Sequence, residues 1–587
     1  MTAPLAALAM GAASLILGVP AHADTAHADT AHAGAAHADT ARAGAVRAAT
    51  TARAGASEGD AALRARVQQA ARQLTAPRGG HAAPQIIGGS TTNIDNAPWM
   101  VQLWYFNADG TAIFCGGTLV AQNKVLTAGH CVDGLDWADN GVVVADTGVL
   151  GGTDVSPVAL VRSQWLHPSY DGAAYDNDIA LLTLDTPLNL KTLPLATPND
   201  AALYAPGTQA TVYGWGVTDS GVDSQNLAET LQHLTLPVNS DTACADELDA
   251  AVGGDAYVAG HMICGGEGGT GDDATGKTTC SGDSGGPLVA GGKIVGVVSW
   301  GVANDTQDCN VPGTYDVFTK VSGYGGAVQP RLFDTDISRD GKADIVAKTS
   351  AGASYAYAST GTGVRSRANA PISFANYDTV VQADLERDGY QDYILRATSS
   401  GNVFMGHRTA DRASYSYSQI GSGWKTVKAI VVPGDMTGDG IPDLLTEDSA
   451  GRVWVYPGKG NGLFTTAVLT NASWSRYNLV VGHGDYTGDG IADVLGRDTA
   501  SGALYVLPGT GTTAAPFGPA VQVGSGFNGF DKLVAVGDFT GDGHADLLAR
   551  VPSGTLFLFK GQGVAGPAAF APWQKISGGW NMYSLLG

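Results

Sequence analysis

The sequence predicts an all-β protein with at least two domains, and three observations support this fold class. The chain has 587 residues, which is too long for a single domain built around one hydrophobic core. It contains 82 glycines but only 15% charged residues, a composition typical of turn-rich β structure rather than of long charged helices. Short apolar runs alternate with Gly, Asn, Asp and Pro, and toward the C-terminus a single pattern recurs about every 50 residues.

The N-terminus has the features of a secretion signal. Residues 5–19 form an apolar run that is too short to span a bilayer, and the small-x-small sequence Ala21-His22-Ala23 follows it. No Lys or Arg precedes the run, so a buried helix is the alternative interpretation. We expect a signal peptide at residues 1–23, an extracellular location and no membrane span.

Residues 24–85 are predicted to be a low-complexity propeptide. The repeated sequence Ala-His-Ala-Asp-Thr cannot bury enough apolar surface to order itself. Its regularly spaced histidines could bind a metal, but such tracts usually persist without a ligand. Residues 61–74 are a plausible short helix, and we expect none of residues 1–85 in the mature protein.

Charge and cysteine content narrow the function classes. The net charge of −22 argues against nucleic-acid binding, because a chain with this excess of acidic residues does not readily form a basic surface. All six cysteines lie between Cys115 and Cys309. In a secreted protein an even number confined to one segment indicates three disulfides.

One segment, residues 279–287 (TCSGDSGGP), carries the features of a nucleophile. Ser284 stands among glycines that favour a tight turn, which exposes its hydroxyl and leaves backbone N–H groups able to hold an oxyanion. Such a hydroxyl needs a base, and the base needs an orienting carboxylate. Upstream, the sequence LTAGHC contains His130 and the sequence DNDIALL contains Asp178.

These three segments, in the order His, Asp, Ser, resemble the chymotrypsin/trypsin family of serine proteases. The resemblance implies two six-stranded Greek-key barrels over residues 86–322 with the site between them. It implies that Ser284 is the nucleophile, His130 the base and Asp178 its orienting carboxylate, with Gly282 and Ser284 N–H as the oxyanion hole. The substrate would be a protein or peptide.

Further motifs extend the resemblance. Residues 85–89 (QIIGG) resemble the activation site, where cleavage would expose the Ile86 α-amine to pair with Asp283. Gln85 departs from the trypsinogen pattern, so self-activation is not expected. By the same resemblance the six cysteines pair as Cys115–Cys131, Cys244–Cys264 and Cys280–Cys309, although six cysteines alone allow fifteen pairings. The family's C-terminal helix is predicted to be lost or shortened before a linker at residues 323–330.

The resemblance also locates the specificity pocket. Its floor falls on Thr278, and its remaining positions on Ser299, Trp300, Gly301 and Gly313. Because Thr278 is neutral and the glycines leave the slot open, we expect a preference for an apolar or aromatic P1 side chain. The alternative is trypsin-like Arg/Lys specificity, if Asp272, Asp273 or Asp316 reaches the pocket.

Residues 331–587 contain five copies of an acidic loop, each preceded by one apolar strand and followed by two. The copies resemble FG-GAP/VCBS repeats, which implies a β-propeller. Five blades are expected, with the last strand closing the ring beside the first copy.

Oxygen ligands at alternate positions and a turn glycine suit Ca²⁺, so calcium is the predicted structural cofactor. The alternative is that these aspartates only form hydrogen-bonded turns. Arg339 and Arg387 replace the glycine in the first two copies, which weakens the prediction there. The expected ligands are the Ile441 carbonyl and the side chains of Asp435, Thr437, Asp439, Asp443, Asp485, Asp489, Asp493, Asp538, Asp542, Asp546, Asp336, Asp340, Asp344, Asp384, Asp388 and Asp392.

The leading hypothesis is therefore a secreted serine endopeptidase with a calcium-binding propeller. The propeller would bind a polymer or a cell-surface ligand, or else stabilise the enzyme. The alternatives are an adhesion protein whose protease domain is vestigial, and an esterase. No cofactor is expected for catalysis.

Overall fold

The computed structural model describes residues 59–75, 86–221, 227–252, 256–332, 335–409 and 412–587. The predicted signal peptide and most of the low-complexity region lie outside these residues. Within them the protein is almost entirely β, as predicted, and forms two domains. None of the helices in these ranges is long and apolar enough to cross a membrane.

The first domain opens with a helix and a short strand, followed by six strands of a closed barrel. These elements are α1 (Asp60–Leu74), β1 (Ser90–Thr91), β2 (Met100–Phe106), β3 (Ala112–Ala121), β4 (Lys124–Thr127), α2 (Trp137–Asn140), β5 (Gly141–Ala145), β6 (Val158–Leu166) and β7 (Ala180–Leu184). The order around the barrel is β2-β3-β4-β7-β6-β5. Every residue of β2 is buried, and Tyr105 packs against Trp137 of α2 with 5.6 Å between ring centroids.

The second half of this domain is a seven-stranded sheet. Its elements are β8 (Gln209–Gly214), β9 (Gln232–Pro237), α3 (Asp241–Val252), β10 (Met262–Gly265), β11 (Pro287–Ala290), β12 (Lys293–Trp300), β13 (Asp316–Lys320) and α4 (Gly325–Val328). The strand order is β1-β9-β8-β11-β12-β13-β10, so this half is not the closed six-stranded barrel that was expected. The sheet curls until Val238, just after β9, bridges Gly265 of β10. The chain then turns into α3, which limits the closure to this bridge.

The structure pairs the cysteines as the resemblance implies. The bonds are Cys115–Cys131, Cys244–Cys264 and Cys280–Cys309. The first joins β3 to the segment that carries His130. The third joins the segment before Ser284 to the loop before β13.

The second domain is a five-bladed propeller, as predicted. Its strands are β14 (Ile345–Thr349), β15 (Ser354–Tyr357), β16 (Ala368–Asn369), β17 (Tyr377–Ala383), β18 (Asp392–Ala397), β19 (Val403–Arg408), β20 (Tyr415–Gly421), β21 (Ala429–Gly434), β22 (Asp443–Glu447), β23 (Arg452–Tyr456), β24 (Val468–Ser473), β25 (Tyr477–Val481), β26 (Val494–Asp498), β27 (Leu504–Leu507), β28 (Val521–Gly524), β29 (Lys532–Gly537), β30 (Asp546–Arg550), β31 (Leu556–Phe559), β32 (Gln574–Ser577) and β33 (Tyr583–Leu586). The last strand, β33, pairs with β14 and completes the first blade, so the two ends of the domain are joined in one sheet.

The two domains contact each other through the acidic-loop side of the propeller. Gln122 N donates to Arg387 O at 2.8 Å, and the Arg387 guanidinium donates to Thr192 Oγ1 at 3.0 Å. Arg339 donates to Asp185 O at 3.3 Å. Arg339 and Arg387 have φ of 59° where the later copies have glycine, so both residues hold the turn and extend toward the first domain.

The expected linker is folded. Its helix α4 has only four residues and continues into a 3₁₀ turn at Gln329–Arg331, so the family's C-terminal helix is shortened, as expected. Tyr324 is buried and donates to Asn177 Oδ1 at 3.3 Å, and the Arg331 guanidinium lies 4.5 Å from the Trp165 ring centroid. The domains are therefore docked rather than freely hinged.

Candidate active site

Asp178 and His130 form a hydrogen-bonded pair at the junction of the two halves of the first domain. Asp178 is fully buried. It accepts hydrogen bonds from His130 N at 2.7 Å and from His130 Nδ1 at 2.8 Å. Ser299 Oγ donates to the same carboxylate at 2.6 Å. These contacts leave Nε2 as the ring nitrogen that can accept a proton.

The surroundings of His130 raise its basicity. Burial alone would lower the pKa of this imidazole, but the Asp178 charge and hydrogen bond outweigh that effect. The net result is a His130 pKa above the ordinary histidine value. An imidazolium formed here during a reaction is therefore stabilised by the neighbouring carboxylate.

The Ser284 turn is packed against the segment that carries His130. Gly116 N donates to Ser284 O at 2.8 Å. Gly285 has φ of 80°, and a Cβ at this position would clash with Thr127 Oγ1 and Gly116 O. Only glycine therefore fits, and the turn sits beside the strand that leads to His130. Ser284 is partly exposed, and its hydroxyl makes no hydrogen bond to any of the described residues.

The backbone N–H groups of this turn divide into two sets. Those of Asp283, Gly285 and Gly286 donate to Cys280 O, Val298 O and Asp283 O. Across the described residues, the N–H groups of Gly282 and Ser284 have no protein acceptor. Gly282 has φ of 93°, a left-handed conformation that favours glycine. Two donors without acceptors in the same tight turn suit an anionic oxygen.

Asp283 is a buried acid that lacks a cation. Its carboxylate accepts only from Gly216 N at 2.8 Å and Cys280 N at 3.0 Å, within the ranges that the structure describes. Burial raises the pKa of Asp283 to about 7. Ile86 is completely buried in the core of the second half of the domain. A cation delivered near Asp283 would relieve the cost of its buried charge.

Of the three acids that the sequence analysis considered for the specificity pocket, Asp316 is the one that contacts Thr278. Thr278 is buried, as expected, but its hydroxyl donates to Asp316 Oδ1 at 2.5 Å. Thr279 N donates to the other oxygen of Asp316 at 2.8 Å. The two other acids considered for this role lie elsewhere: Asp272 is exposed and Asp273 accepts from Ser220 N and Asn310 Nδ2. Burial, opposed by these hydrogen bonds, raises the pKa of Asp316 to about 7.

The other pocket positions fall in two groups. Among the described residues, a Cβ added at Gly301 would have no neighbour within 4 Å, and one added at Gly313 would meet only Glu247 Oε2 at 3.9 Å. Both glycines therefore border open space in this part of the structure. Trp300 is partly exposed beside them. Ser299, in contrast, directs its hydroxyl to Asp178 instead of the pocket. The sequence analysis did not predict this role for Ser299, because a serine at the end of the apolar run of β12 gives no indication of a hydrogen bond to Asp178.

The five acidic loops share one arrangement. In the third loop Asp435 accepts from Gly438 N at 2.7 Å and Gly440 N at 2.6 Å, and Asp443 accepts from Met436 N and Gly458 N. The first and last aspartates of every loop are buried, and the middle ones are partly or fully exposed. No three acidic side chains of these loops converge within 4.8 Å in the described structure. The hydrogen bonds show that these aspartates stabilise the turns of the loops.

The loops differ in the cations beside them. Arg387 lies near Asp435 and Asp439 of the third loop, and Lys560 Nζ is 2.9 Å from Asp542 Oδ2 of the fifth. In the fourth loop, burial is the main cause that raises the pKa of Asp485 to about 6, and repulsion from the Asp489 carboxylate adds to it. Burial and the charge of Asp485 raise the pKa of Asp493 well above the ordinary aspartate value. No cationic side chain contacts these three acids within the described residues. Their hard oxygen donors fit Ca²⁺ chemically.

Comparisons with known proteins divide the chain in the same way. The Trypsin family profile matches residues 86–327, an FG-GAP-like repeat profile matches 435–496 and 485–549, and an FG-GAP repeat profile matches 533–569. A trypsin of Saccharopolyspora erythraea is 40% identical over 241 residues, which are 41% of this chain and 94% of that relative. Trypsin of Sus scrofa is 34% identical over 252 residues, covering 42% and 96%. Trypsin alpha of Drosophila erecta is 35% identical over 235 residues, covering 39% and 82%.

Proposed function

The chain belongs to the trypsin family of serine endopeptidases, and on this premise we propose that it is a secreted enzyme that cleaves peptide bonds through Ser284, His130 and Asp178. The observation that carries the proposal is the pair of unpaired N–H groups at Gly282 and Ser284 within the described structure, beside a histidine oriented by a buried carboxylate. A domain that kept only the fold would have no reason to keep such donors open.

In the proposed reaction Ser284 Oγ attacks the scissile carbonyl carbon while its proton passes to His130 Nε2. The carbonyl oxygen becomes an oxyanion, which accepts hydrogen bonds from Gly282 N and Ser284 N. The C–N bond then breaks, and His130 returns the proton to the leaving amine. Water repeats the sequence on the acyl-enzyme and releases the carboxylic acid. Asp178 stays ionised throughout and stabilises the imidazolium.

Activation is proposed to require cleavage before Ile86. The α-amine created there would supply the cation that Asp283 lacks within the described residues. Because Asp283 lies between Gly282 and Ser284, pairing it would fix both oxyanion donors.

For specificity we propose that the charge of Asp316 decides the P1 preference. With a neutral Asp316 the open slot favours apolar and aromatic side chains, as the sequence interpretation held. With an ionised Asp316 it accepts Lys or Arg. Thr278 Oγ and Thr279 N face this carboxylate directly, and the Asp283 charge lies near it.

For the propeller we propose a stabilising role with calcium as a structural ion. The support is the contact of the acidic-loop side with the protease domain and the buried acids of the fourth loop. Asp485, Asp489 and Asp493 would hold the ion, which would neutralise their mutual repulsion. A polymer ligand, if one binds, would use another side of the propeller.

Calcium should stabilise the protein chiefly through the fourth loop. At a hundred times its Kd, Ca²⁺ adds about 2.7 kcal/mol to the free energy of unfolding, which a calorimeter detects as a rise of a few degrees in Tm. EDTA should reverse the rise, and Asp489→Asn should abolish most of it. Asp340→Asn is the matched control, because Arg365 already pairs with Asp340 at 3.1 Å. An equal Ca²⁺ response in Asp489→Asn would contradict the assignment.

The pH dependence should report the raised pKa of His130. The enzyme is active when this imidazole is neutral, so kcat/KM should fall as the pH falls through a value above the ordinary histidine pKa of 6.5. The measurement is kcat/KM on one peptide p-nitroanilide from pH 5 to 10. An acid limb centred at or below the ordinary value would contradict the Asp178 effect.

The proposed function itself is tested by covalent labelling. The chain is given an enteropeptidase site at residues 81–85, cut before Ile86, and treated with a fluorophosphonate probe. We expect one label, at Ser284, together with cleavage of denatured protein. Labelling without any peptide cleavage would favour an esterase, and no labelling of correctly cut protein would favour a binding protein.

A further inference from the structure

Helix α1 belongs to the region that was expected to leave the mature enzyme, yet it is built into the protease domain. Its apolar residues Leu63, Val67, Ala70 and Ala71 repeat at helical spacing and are all buried. The exposed fraction of Val67 is 0%. These side chains join the same hydrophobic cluster as Trp104 and the other barrel residues. A helix lying loosely on the surface would keep part of this face in water.

The barrel surface under α1 is shaped to receive it. Gly151 has φ of 79°, and a Cβ at this position would clash with Ala71. The adjacent loop supplies polar partners, because Arg64 Nε donates to Ser156 O at 2.8 Å and Gln68 Nε2 donates to Asp154 Oδ1 at 3.2 Å.

One aromatic residue of the barrel also depends on α1 for its cover. The Arg66 guanidinium lies 4.0 Å from the ring centroid of Phe106, which is only 4% exposed. Without the helix, this ring and the apolar surface around it would face water.

The C-terminal end of α1 reaches toward the oxyanion hole. Leu227 N donates to Leu74 O at 3.1 Å. The Leu227 side chain packs directly against Gly282. A Cβ added at position 282 would clash with Leu227. Leu227 also pairs with Val217, whose N–H donates to Ser281 O at 2.8 Å. The helix therefore supports the segment that backs one of the two oxyanion donors.

We propose that α1 stays bound to the protease domain as a separate peptide after the chain is cut before Ile86, and that it keeps the Gly282 segment in its active position. The cut breaks the covalent link but none of the contacts above, since all of them are made to residues after Ile86. The proposal rests on the proposed activation step. It makes a segment of the propeptide a permanent subunit of the enzyme.

The binding component of the proposal is tested without any activity measurement. The chain carrying the enteropeptidase site and Ser284→Ala is cut and passed over a size-exclusion column at micromolar concentration. We expect mass spectrometry to find the α1 peptide in the protease peak at a one-to-one ratio, and in a separate peak only after denaturation. Elution of the peptide as a separate species under native conditions would overturn the proposal.

The supporting role is tested with two single variants of the active enzyme. Val67→Asp places a charge in the buried face, and Gln69→Asp places the same charge on the exposed face of α1. We expect Val67→Asp to lose the peptide and at least about 90% of kcat on a peptide p-nitroanilide, and Gln69→Asp to lose neither. A synthetic peptide of residues 59–75 should restore the activity of cut Val67→Asp.

A wild-type arm covers the case in which Val67→Asp does not fold. The cut wild-type enzyme is immobilised, stripped of its peptide in mild denaturant and returned to buffer. Activity that returns only after the 59–75 peptide is added supports the proposal, and full activity without the peptide overturns the supporting role. If the enzyme is inactive but retains the peptide, the proposed function fails and the binding proposal stands.

Discussion

Replacing Asp178 with Asn should lower kcat by about 10⁴-fold with little change in KM, which is the magnitude that this substitution has in the trypsin-family triad. Asp178 now accepts hydrogen bonds from His130 N and His130 Nδ1. An Asn can keep the first bond through its oxygen, but it presents an NH₂ group to Nδ1. The imidazole then carries its proton on Nε2 and cannot accept one from Ser284.

The measurement is steady-state kinetics on protein cut before Ile86, with N-terminal sequencing to verify the cut. Asp171→Asn is the matched control, since Asp171 is exposed on the same loop and, among the residues that the structure describes, its carboxylate accepts only from Ala173 N. A loss of less than tenfold in Asp178→Asn would show that His130 is not oriented by this carboxylate.

Replacing Asp316 with Asn should remove the pH dependence of the P1 preference. In the wild-type enzyme the ratio of kcat/KM for Lys over Phe substrates should rise by about 10- to 100-fold between pH 5.5 and 9. The sign follows from a carboxyl pKa of about 7, because Asp316 is neutral at the lower pH and ionised at the higher. The titration of His130 affects both substrates equally and cancels in the ratio.

In Asp316→Asn the ratio should stay low and flat, because the amide keeps the shape of the pocket but has no charge. Asp273→Asn is the control, since Asp273 contacts Ser220 and Asn310 away from Thr278. If the wild-type enzyme prefers Phe substrates at every pH, Asp316 does not set the P1 preference. The pocket is then uncharged, as predicted from Thr278 alone. A high ratio at pH 5.5 would mean that Asp316 remains ionised there.

The sequence by itself determined the features that depend on local patterns. Short apolar runs separated by turn residues predicted an all-β chain, and the period of about 50 residues predicted the propeller and its five blades. The segments around His130, Asp178 and Ser284 identified the family, because the chemistry requires those residue types in a local setting of small and apolar neighbours. The predicted strand closure at the C-terminus also followed from a local likeness between the last residues and the strand that opens each repeat.

Only the tertiary structure decided which distant residues meet. Asp316 lies 38 positions from Thr278 in the sequence, and pairing of β13 with β10 and β12 brings the two side chains into contact. The contact of Ser299 with Asp178 spans 121 positions, and that of Arg387 with Thr192 spans 195. A short helix at residues 61–74 was predicted from the sequence, but its place on the barrel could not be. A side chain's partner across a fold depends on strand order and packing, which no local pattern records.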